Sequence, residues 1–211
     1  MNETNPVRVL IHSAIRIAGE KTLYFDPFHL SEEPKDGDIV LITHEHYDHL
    51  SPDDIARAAK PGAWIILPKS CRTAALKAGL RADSLLFMDP GEEALVEGVK
   101  IEAVPAYNVG KLFHPKAKKW LGYVVTLDGV RYYVAGDTDD NEDVRKVQCD
   151  VALLPVGGTY TMTAPEAAAL ANVLMPKLAI PTHYGDIVGD GEASKEFAAR
   201  LNKQIACSFA K

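Results

Sequence analysis

The chain has 211 residues, 47% hydrophobic and 25% charged, which is enough apolar material for one compact domain over residues 1–211. A formal net charge of -6 argues against general binding of duplex nucleic acid, which needs a basic face to neutralise phosphates, and favours a small-molecule substrate. No apolar run approaches the roughly 20 residues that cross a bilayer, Met1 to Leu10 lacks the basic and apolar regions of a signal peptide, and Cys71, Cys149 and Cys207 form no CxxC pair, so the expectation is a cytoplasmic protein without membrane insertion, disulfide framework or thiolate zinc site.

Val7 to Ile11, Ala14 to Ile17 and Thr22 to Phe25 are short, largely β-branched runs separated by turn residues, and read as an opening antiparallel sheet. Asp38 to Thr43 (DIVLIT) is a strand of the fully buried type. Ser51-Pro52-Asp53-Asp54 then supplies an N-cap, a first-turn proline and first-turn acids for a helix. A strand at Ala63 to Leu67, a helix from Lys69 to Ala78 ended by Gly79, and strands at Ser84 to Met88, Ala94 to Glu97 and Val99 to Val104 follow. Trp120 to Leu127 and Val130 to Ala135 flank Asp128-Gly129, a hairpin signal, and the second of them delivers Gly136-Asp137 at its end. Asp150 to Pro155 is another buried strand. Thr163 to Glu166 has the spacing of a capping box opening a helix to about Leu174, Leu178 to Pro181 delivers Thr182-His183, and a helix over about Glu192 to Asn202 closes the chain. Two β-rich halves, each ending in helices, predict a sheet-on-sheet core with helices outside.

Chemistry is concentrated in Thr43-His44-Glu45-His46-Tyr47-Asp48-His49. Scattering this chain's histidines and aspartates at random would produce HxHxDH in roughly one such sequence in two thousand, so chance does not account for it. His44 and His46, two apart at an extended strand end, project to the same side and can share one ion through neutral imidazoles. Asp48 and His49 follow as the chain turns and can face a second ion. A carboxylate such as Asp137 can bridge the two, and His183 completes the second site.

The order strand, HxHxDH, helix, later strand with Gly-Asp, later strand with His resembles the metallo-β-lactamase superfamily over essentially the whole chain. Ile11-His12-Ser13, Tyr24 to Phe28 (YFDPF), Thr43 to Pro52 (THEHYDHLSP), Tyr133 to Thr138 (YVAGDT), Leu154 to Met162 (LPVGGTYTM) and Pro181 to Gly185 (PTHYG) are similar to the small stand-alone hydrolases around ascorbate-6-phosphate lactonase and the phospholipase D acting on N-acylphosphatidylethanolamines. The resemblance implies an α/β, four-layer αββα sandwich with a dinuclear site at one edge of the sheets. It implies two divalent metal ions, most often zinc and also manganese or iron, held by His44, His46, Asp48, His49, Asp137 and His183. Asp26, before Pro27, resembles an aspartate that supports the metal loop from behind. His12 and His29 fall outside this ligand set.

Such a pair of ions makes hydroxide available near neutral pH for attack on a carbonyl or phosphorus, with Asp48 both binding metal and orienting the nucleophile. The reading is a hydrolase of a small anionic ester, lactone or phosphodiester. Lys118 and Lys119, in the basic stretch from Lys111, suit an anionic substrate group, and Tyr160, after Gly157-Gly158, suits the pocket wall. Only 28 residues (211 minus 183) follow His183, too few for the helical domain of the larger branches, and a flavin-linked diiron oxidoreductase would need a flavodoxin-like domain that the chain lacks. One position departs from the family pattern. Where the first metal's third histidine is expected the chain has Asn108, and an amide oxygen is a weaker zinc ligand than imidazole. His114, six residues later, either folds back to complete that site or acts as a proton donor; without it, a metal-binding or sensing module with weak or no catalysis is the alternative.

Overall fold

A computed structural model describes residues 6–209. Two mixed sheets pack face to face. The first carries β1 (Val7–Ile11), β2 (Ala14–Ala18), β3 (Thr22–Phe25), β4 (Gly37–Leu41), β5 (Ala59–Pro68) and β6 (Leu85–Met88), in that spatial order. The pairs β1–β2 and β2–β3 are antiparallel, and from β3 onward the strands run parallel. The second sheet is built from β7 (Glu93–Val96), β8 (Val99–Pro105), β9 (Leu121–Leu127), β10 (Val130–Val134), β11 (Val151–Pro155), β12 (Leu178–Thr182) and β13 (Ala206–Cys207). Here β7 to β10 pair antiparallel, and β10 to β13 parallel. Each half therefore opens as a meander and continues with parallel strands linked through the outer layers.

The two-residue side-chain period of the strands sorts three apolar layers. Ile39 and Leu41 of β4 point inward with Leu23, Phe25 and Ile66 to meet Ile101, Leu121, Tyr123, Val125 and Leu153 of the second sheet. Their neighbours Val40 and Ile42 point outward, against α1 (Pro52–Ala58) and α2 (Arg72–Lys77) through Ile55, Ala58 and Ala75. On the other side Val124, Tyr133, Ala152 and Leu154 pack on α3 (Ala164–Leu174) and α4 (Gly191–Arg200) through Ala167, Ala168, Leu170, Ala171 and Phe197. Burial on both faces explains why β4 and β11 read as continuous apolar runs. The four-layer αββα sandwich expected from the sequence is the observed architecture. Among the described residues no helix is long and apolar enough to cross a membrane.

Most elements fall where the sequence puts them, and the exceptions have local causes. The capping box opens α3 through the Thr163 and Glu166 side chains. Ser51 makes no side-chain cap on α1; its Oγ donates to Asp54 Oδ2 at 2.7 Å, and Asp54 also accepts from the amides of His29 and Leu30. The helix expected from Lys69 begins as a 3-10 turn over Lys69–Cys71, and α4 stops at Arg200, short of Asn202. Strand β5 starts at Ala59, ahead of Pro61-Gly62, across an irregular register with β4. Strand β13, only two residues long, has no periodicity to read.

The two sheets are tied together at the ends that carry the histidines. The Tyr123 hydroxyl donates to the Ile42 carbonyl at 2.7 Å, and the Leu121 amide to the Thr43 carbonyl at 3.1 Å. Gly122 lies at this junction, where a Cβ would stand 2.5 Å from the Ala135 carbonyl oxygen and 2.8 Å from that of Val134. Both neighbours are backbone atoms of a paired strand and cannot swing aside. Gly122→Ala should cost about 3 kcal/mol of stability, read as a lowered urea midpoint; an unchanged midpoint would show that β9 and β10 can separate at this point.

Candidate metal centre

The histidines and carboxylates converge where strands end. The loop carrying His44, His46, Asp48 and His49 leaves β4, Asp137 leaves β10, and His183 leaves β12. His12 occupies the β1–β2 turn and His114 the loop between β8 and β9. His12, His44, His49, His114, His183, Asp48 and Asp137 are buried, and His46 is partly so. Burying this many polar groups is unfavourable unless each finds a partner or an ion.

Three overlapping groups of donor atoms form. One nitrogen from each of His44, His46 and His114 lies within 4.8 Å of the others, and the same holds for His12, Asp48 and His183 and for His44, His49 and Asp137. Asp137 stands between the sets, its Oδ2 3.3 Å from His114 Nε2 and 3.1 Å from His183 Nε2, its Oδ1 3.5 Å from His49 Nε2. Asp48 Oδ2 lies 3.4 Å from His49 Nε2 and 3.5 Å from His12 Nε2. Trp120 is the floor of the first set, its ring 4.7 Å from that of His44 and 4.8 Å from that of His46.

The outer nitrogens are pinned. Asp26 accepts the Thr43 amide at 2.8 Å, the Thr43 hydroxyl at 2.7 Å and His49 Nδ1 at 2.7 Å, which turns His49 Nε2 inward. The support from behind implied for Asp26 is this set of bonds. Asn108, the residue aligned with the third histidine, is used otherwise. Its Oδ1 accepts the His114 amide at 3.0 Å and His114 Nδ1 at 2.9 Å, and its Nδ2 donates to the Tyr160 carbonyl at 2.9 Å. With its amide so engaged, Asn108 orients His114, whose Nε2 points at the set. Gly136, at φ +65°, lets the chain ahead of Asp137 pass Thr43; a Cβ there would come 3.0 Å from Thr43 Cβ.

Electrostatics sort the protonation states. Burial and the neighbouring His49 push His44 well below the ordinary histidine value, and burial with nearby His114 lowers His46, so both present neutral imidazoles. Burial alone would raise Asp137 and Asp48. The charges of His183 and His49 instead hold Asp137 well below the usual carboxylate range, and contacts with His12 and His49 do the same for Asp48. His49 shows the reverse balance: burial disfavours its charge, yet Asp137 and Asp26 raise it well above the ordinary value. The carboxylates around His49 thus favour positive charge at this point of the cluster. His49 Nε2, His114 Nε2, His183 Nδ1, Asp137 Oδ1 and both ring nitrogens of His12 have no hydrogen-bond partner despite burial. Neutral imidazoles, ionised carboxylates and inward atoms lacking partners fit a site for divalent metal ions.

A cavity of about 260 Å³ opens over His46, Asp48, His114, Asp137 and His183, walled by Tyr47, Phe113, Tyr160 and Ile187. Tyr160 packs edge-on against Phe113 with ring centres 4.7 Å apart. Lys118 and Lys119, expected at the substrate, do not line this cavity. Lys118 Nζ bonds Glu45 Oε1 at 2.8 Å, and Lys119 closes a 3-10 turn in a left-handed conformation on the exposed surface. The rest of the basic stretch is also engaged, Lys111 with Asp139 and Lys116 with Asp143 and Glu142. These acidic partners are distant in sequence, which is why the stretch reads as a free basic loop. His29 lies outside the cluster, stacked on Phe28 and near Asp186, whereas His12 lies inside it. The sequence leaves His12 outside the ligand set and gives no sign of Trp120; a histidine in a hairpin turn is the one available signal.

Removing the acceptor behind the loop tests how the site is held. Asp26→Ala strands two buried Thr43 donors and an imidazole nitrogen, so metal-free protein should lose about 2–4 kcal/mol in urea unfolding. A loss below about 0.5 kcal/mol would mean that water replaces the carboxylate without cost.

Comparison with known proteins agrees with this architecture. Residues 7–183 match the family model described as the beta-lactamase superfamily domain. A UPF0173 metal-dependent hydrolase of Thermococcus onnurineus is 33% identical, the match covering 90% of this chain and 90% of the relative. A solved structure of a proposed metal-dependent hydrolase from Parabacteroides distasonis superposes with a TM-score of 0.79 at 31% identity, covering 96% of this chain and 90% of that one. A metallo hydrolase from Ignicoccus hospitalis shares the fold at 23% identity and a TM-score of 0.73, covering 97% of this chain and 94% of its own. The chain therefore belongs to the metallo-β-lactamase superfamily, among its metal-dependent hydrolases.

Proposed function

We propose that this metal-dependent hydrolase is dinuclear, with His44, His46 and His114 holding the first ion, Asp48, His49 and His183 the second, and Asp137 bridging them. The observation that carries the reading is the convergence of buried donor atoms without partners on either side of Asp137. Three imidazoles and a carboxylate oxygen suit zinc at the first position, and manganese or iron also accept such donors. His114 serves here as a ligand, its Nδ1 fixed by Asn108. The alternative of a non-catalytic binding module starts from the absence of a third histidine at Asn108, and the position of His114 beside His44 and His46 supports the hydrolase reading over it. The protein acts as a single domain in the cytoplasm on a small molecule.

When bound, the metal pair supplies Lewis acidity that makes water nucleophilic near neutral pH and offsets developing negative charge. The chain's own residues do the rest. Asp48, held ionised at the edge of the cavity, would orient the attacking water, while Asp137 is committed to the ions. Asp26 and Asn108 keep the His49 and His114 rings from rotating. Phe113 and Tyr160 shield one side of the cavity from solvent.

The substrate is a small ester, lactone or phosphodiester, in keeping with the likeness to the lactonase and phospholipase D branch. Its anionic character, suggested by the basic loop, finds no lysine at the cavity. Tyr47 and Phe113 are 69% and 48% exposed at the mouth, and such walls suit an apolar substituent beside the scissile bond.

Asp137→Ala should reduce bound metal from two ions per chain to one or none by elemental analysis, because two cations would repel without the carboxylate between them. Full metal content and activity in that variant would contradict the dinuclear reading. On a panel of aryl and alkyl esters, lactones and phosphodiesters, Phe113→Ala should raise KM about fivefold for substrates with an apolar group, the worth of a partly buried ring contact. Lys118→Ala should change kcat/KM by less than about twofold. The opposite ranking would restore the anionic substrate.

A further inference from the structure

His12 is the one buried histidine of the cluster that the ligand assignment above leaves without a task. Its side chain is wholly enclosed, at 0% exposure, yet neither Nδ1 nor Nε2 has a hydrogen-bond partner. An ordinary core histidine satisfies at least one nitrogen, since leaving such a group unpaired in the interior costs about 1–3 kcal/mol. Here the nearest acceptor, Asp48 Oδ2, is 3.5 Å from Nε2, too far for a well-formed hydrogen bond. The imidazole ring lies 3.9 Å from that of His183.

The backbone keeps it there. The β1–β2 connection is the two-residue turn His12-Ser13, and His12 takes φ 50° in it, a conformation more usual for glycine or asparagine. The His12 carbonyl accepts the His183 amide at 2.9 Å, so the tip of a first-sheet hairpin is bonded to the end of β12 in the second sheet. His183 is itself left-handed, at φ 57°. Two left-handed residues, bonded to each other across the sheets, bring their side chains to the paired carboxylates of the cluster, His12 Nε2 at 3.5 Å from Asp48 Oδ2 and His183 Nε2 at 3.1 Å from Asp137 Oδ2. Such backbone outliers are retained where the surroundings over-determine them, and functional sites are where they gather.

We infer that His12 is a further ligand of the second metal position, which would then draw on His12, Asp48, His49 and His183 with Asp137 shared. The inference rests on the dinuclear reading. One donor atom each from His12, Asp48 and His183 already lies within 4.8 Å of the other two. The two positions would then differ in kind. The first has three imidazoles and the shared carboxylate, a tetrahedral zinc set. The second has three imidazoles and two carboxylates, more donors than a tetrahedral ion uses, and suits an ion of five or six coordination such as manganese or iron.

Cobalt(II) is the probe, because its visible d–d bands report coordination number directly. Wild type, His12→Asn and His12→Gly are compared; both substitutions tolerate the left-handed turn, so the hairpin should be kept. Wild type should bind two cobalt ions in a chelator-buffered titration. Each variant should hold the first with unchanged affinity and the second at least tenfold more weakly, with the second ion's band shifted and intensified as coordination falls. Added imidazole should restore the band in His12→Gly, where it can enter the vacated space. Unchanged affinities and bands would overturn the inference, as would weaker binding of the second ion with an unchanged band, which would make His12 a positioning residue for Asp48. A wild-type chain that binds only one cobalt ion would overturn the dinuclear reading itself. His29→Ala, outside the cluster, should match wild type throughout.

Discussion

The structure depends on how a group of buried imidazoles and carboxylates is compensated at the end of an otherwise apolar sandwich. Five histidines and two aspartates are packed where the ends of both sheets meet, and several inward atoms have no partner in the protein. Such an arrangement is costly in the absence of a cation. Without an ion, the neighbouring Asp137 and Asp26 raise the His49 imidazole well above the ordinary histidine value. A metal ion compensates the cluster, since it satisfies neutral imidazoles and ionised carboxylates together.

The fold supplies this end of the sandwich with little freedom. Parallel strands β4 and β12 deliver their histidine-bearing loops at the same edge, as parallel strands in α/β proteins deliver functional groups at their C-terminal ends. The contacts Leu121 to Thr43, Tyr123 to Ile42 and His183 to His12 join the sheets there through the backbone. Around the inward atoms, Asp26 fixes His49 and Asn108 fixes His114, so ring orientation is set before any ion arrives. Such preorganisation lowers the cost of assembling the site at the moment of binding.

Much of this was legible in the sequence for specific reasons. DIVLIT preceding HxHxDH, the Asp128-Gly129 hairpin ahead of Gly136-Asp137, and LAIPT ahead of His183 are local patterns, and each placed its residues at a strand end. What escaped depends on distant contacts. His12 joins the cluster only because its hairpin docks on β12, 171 residues further along (183 minus 12). His114 and Asn108 sit in a loop without periodicity, so position alone aligns Asn108 with the expected histidine, and only the folded loop brings His114 beside His44 and His46. Lys118 reads as a free cation until Glu45, 73 residues away, is seen beside it.

The central claim is that the inward-facing donors hold two metal ions with Asp137 between them. Anomalous diffraction from crystals of the metal-loaded protein, collected on either side of the metal absorption edge, tests it most directly. The account predicts two peaks, one within bonding distance of His44, His46 and His114 and the other within bonding distance of Asp48, His49 and His183, both touching Asp137. A single peak, or peaks away from Asp137, would contradict it.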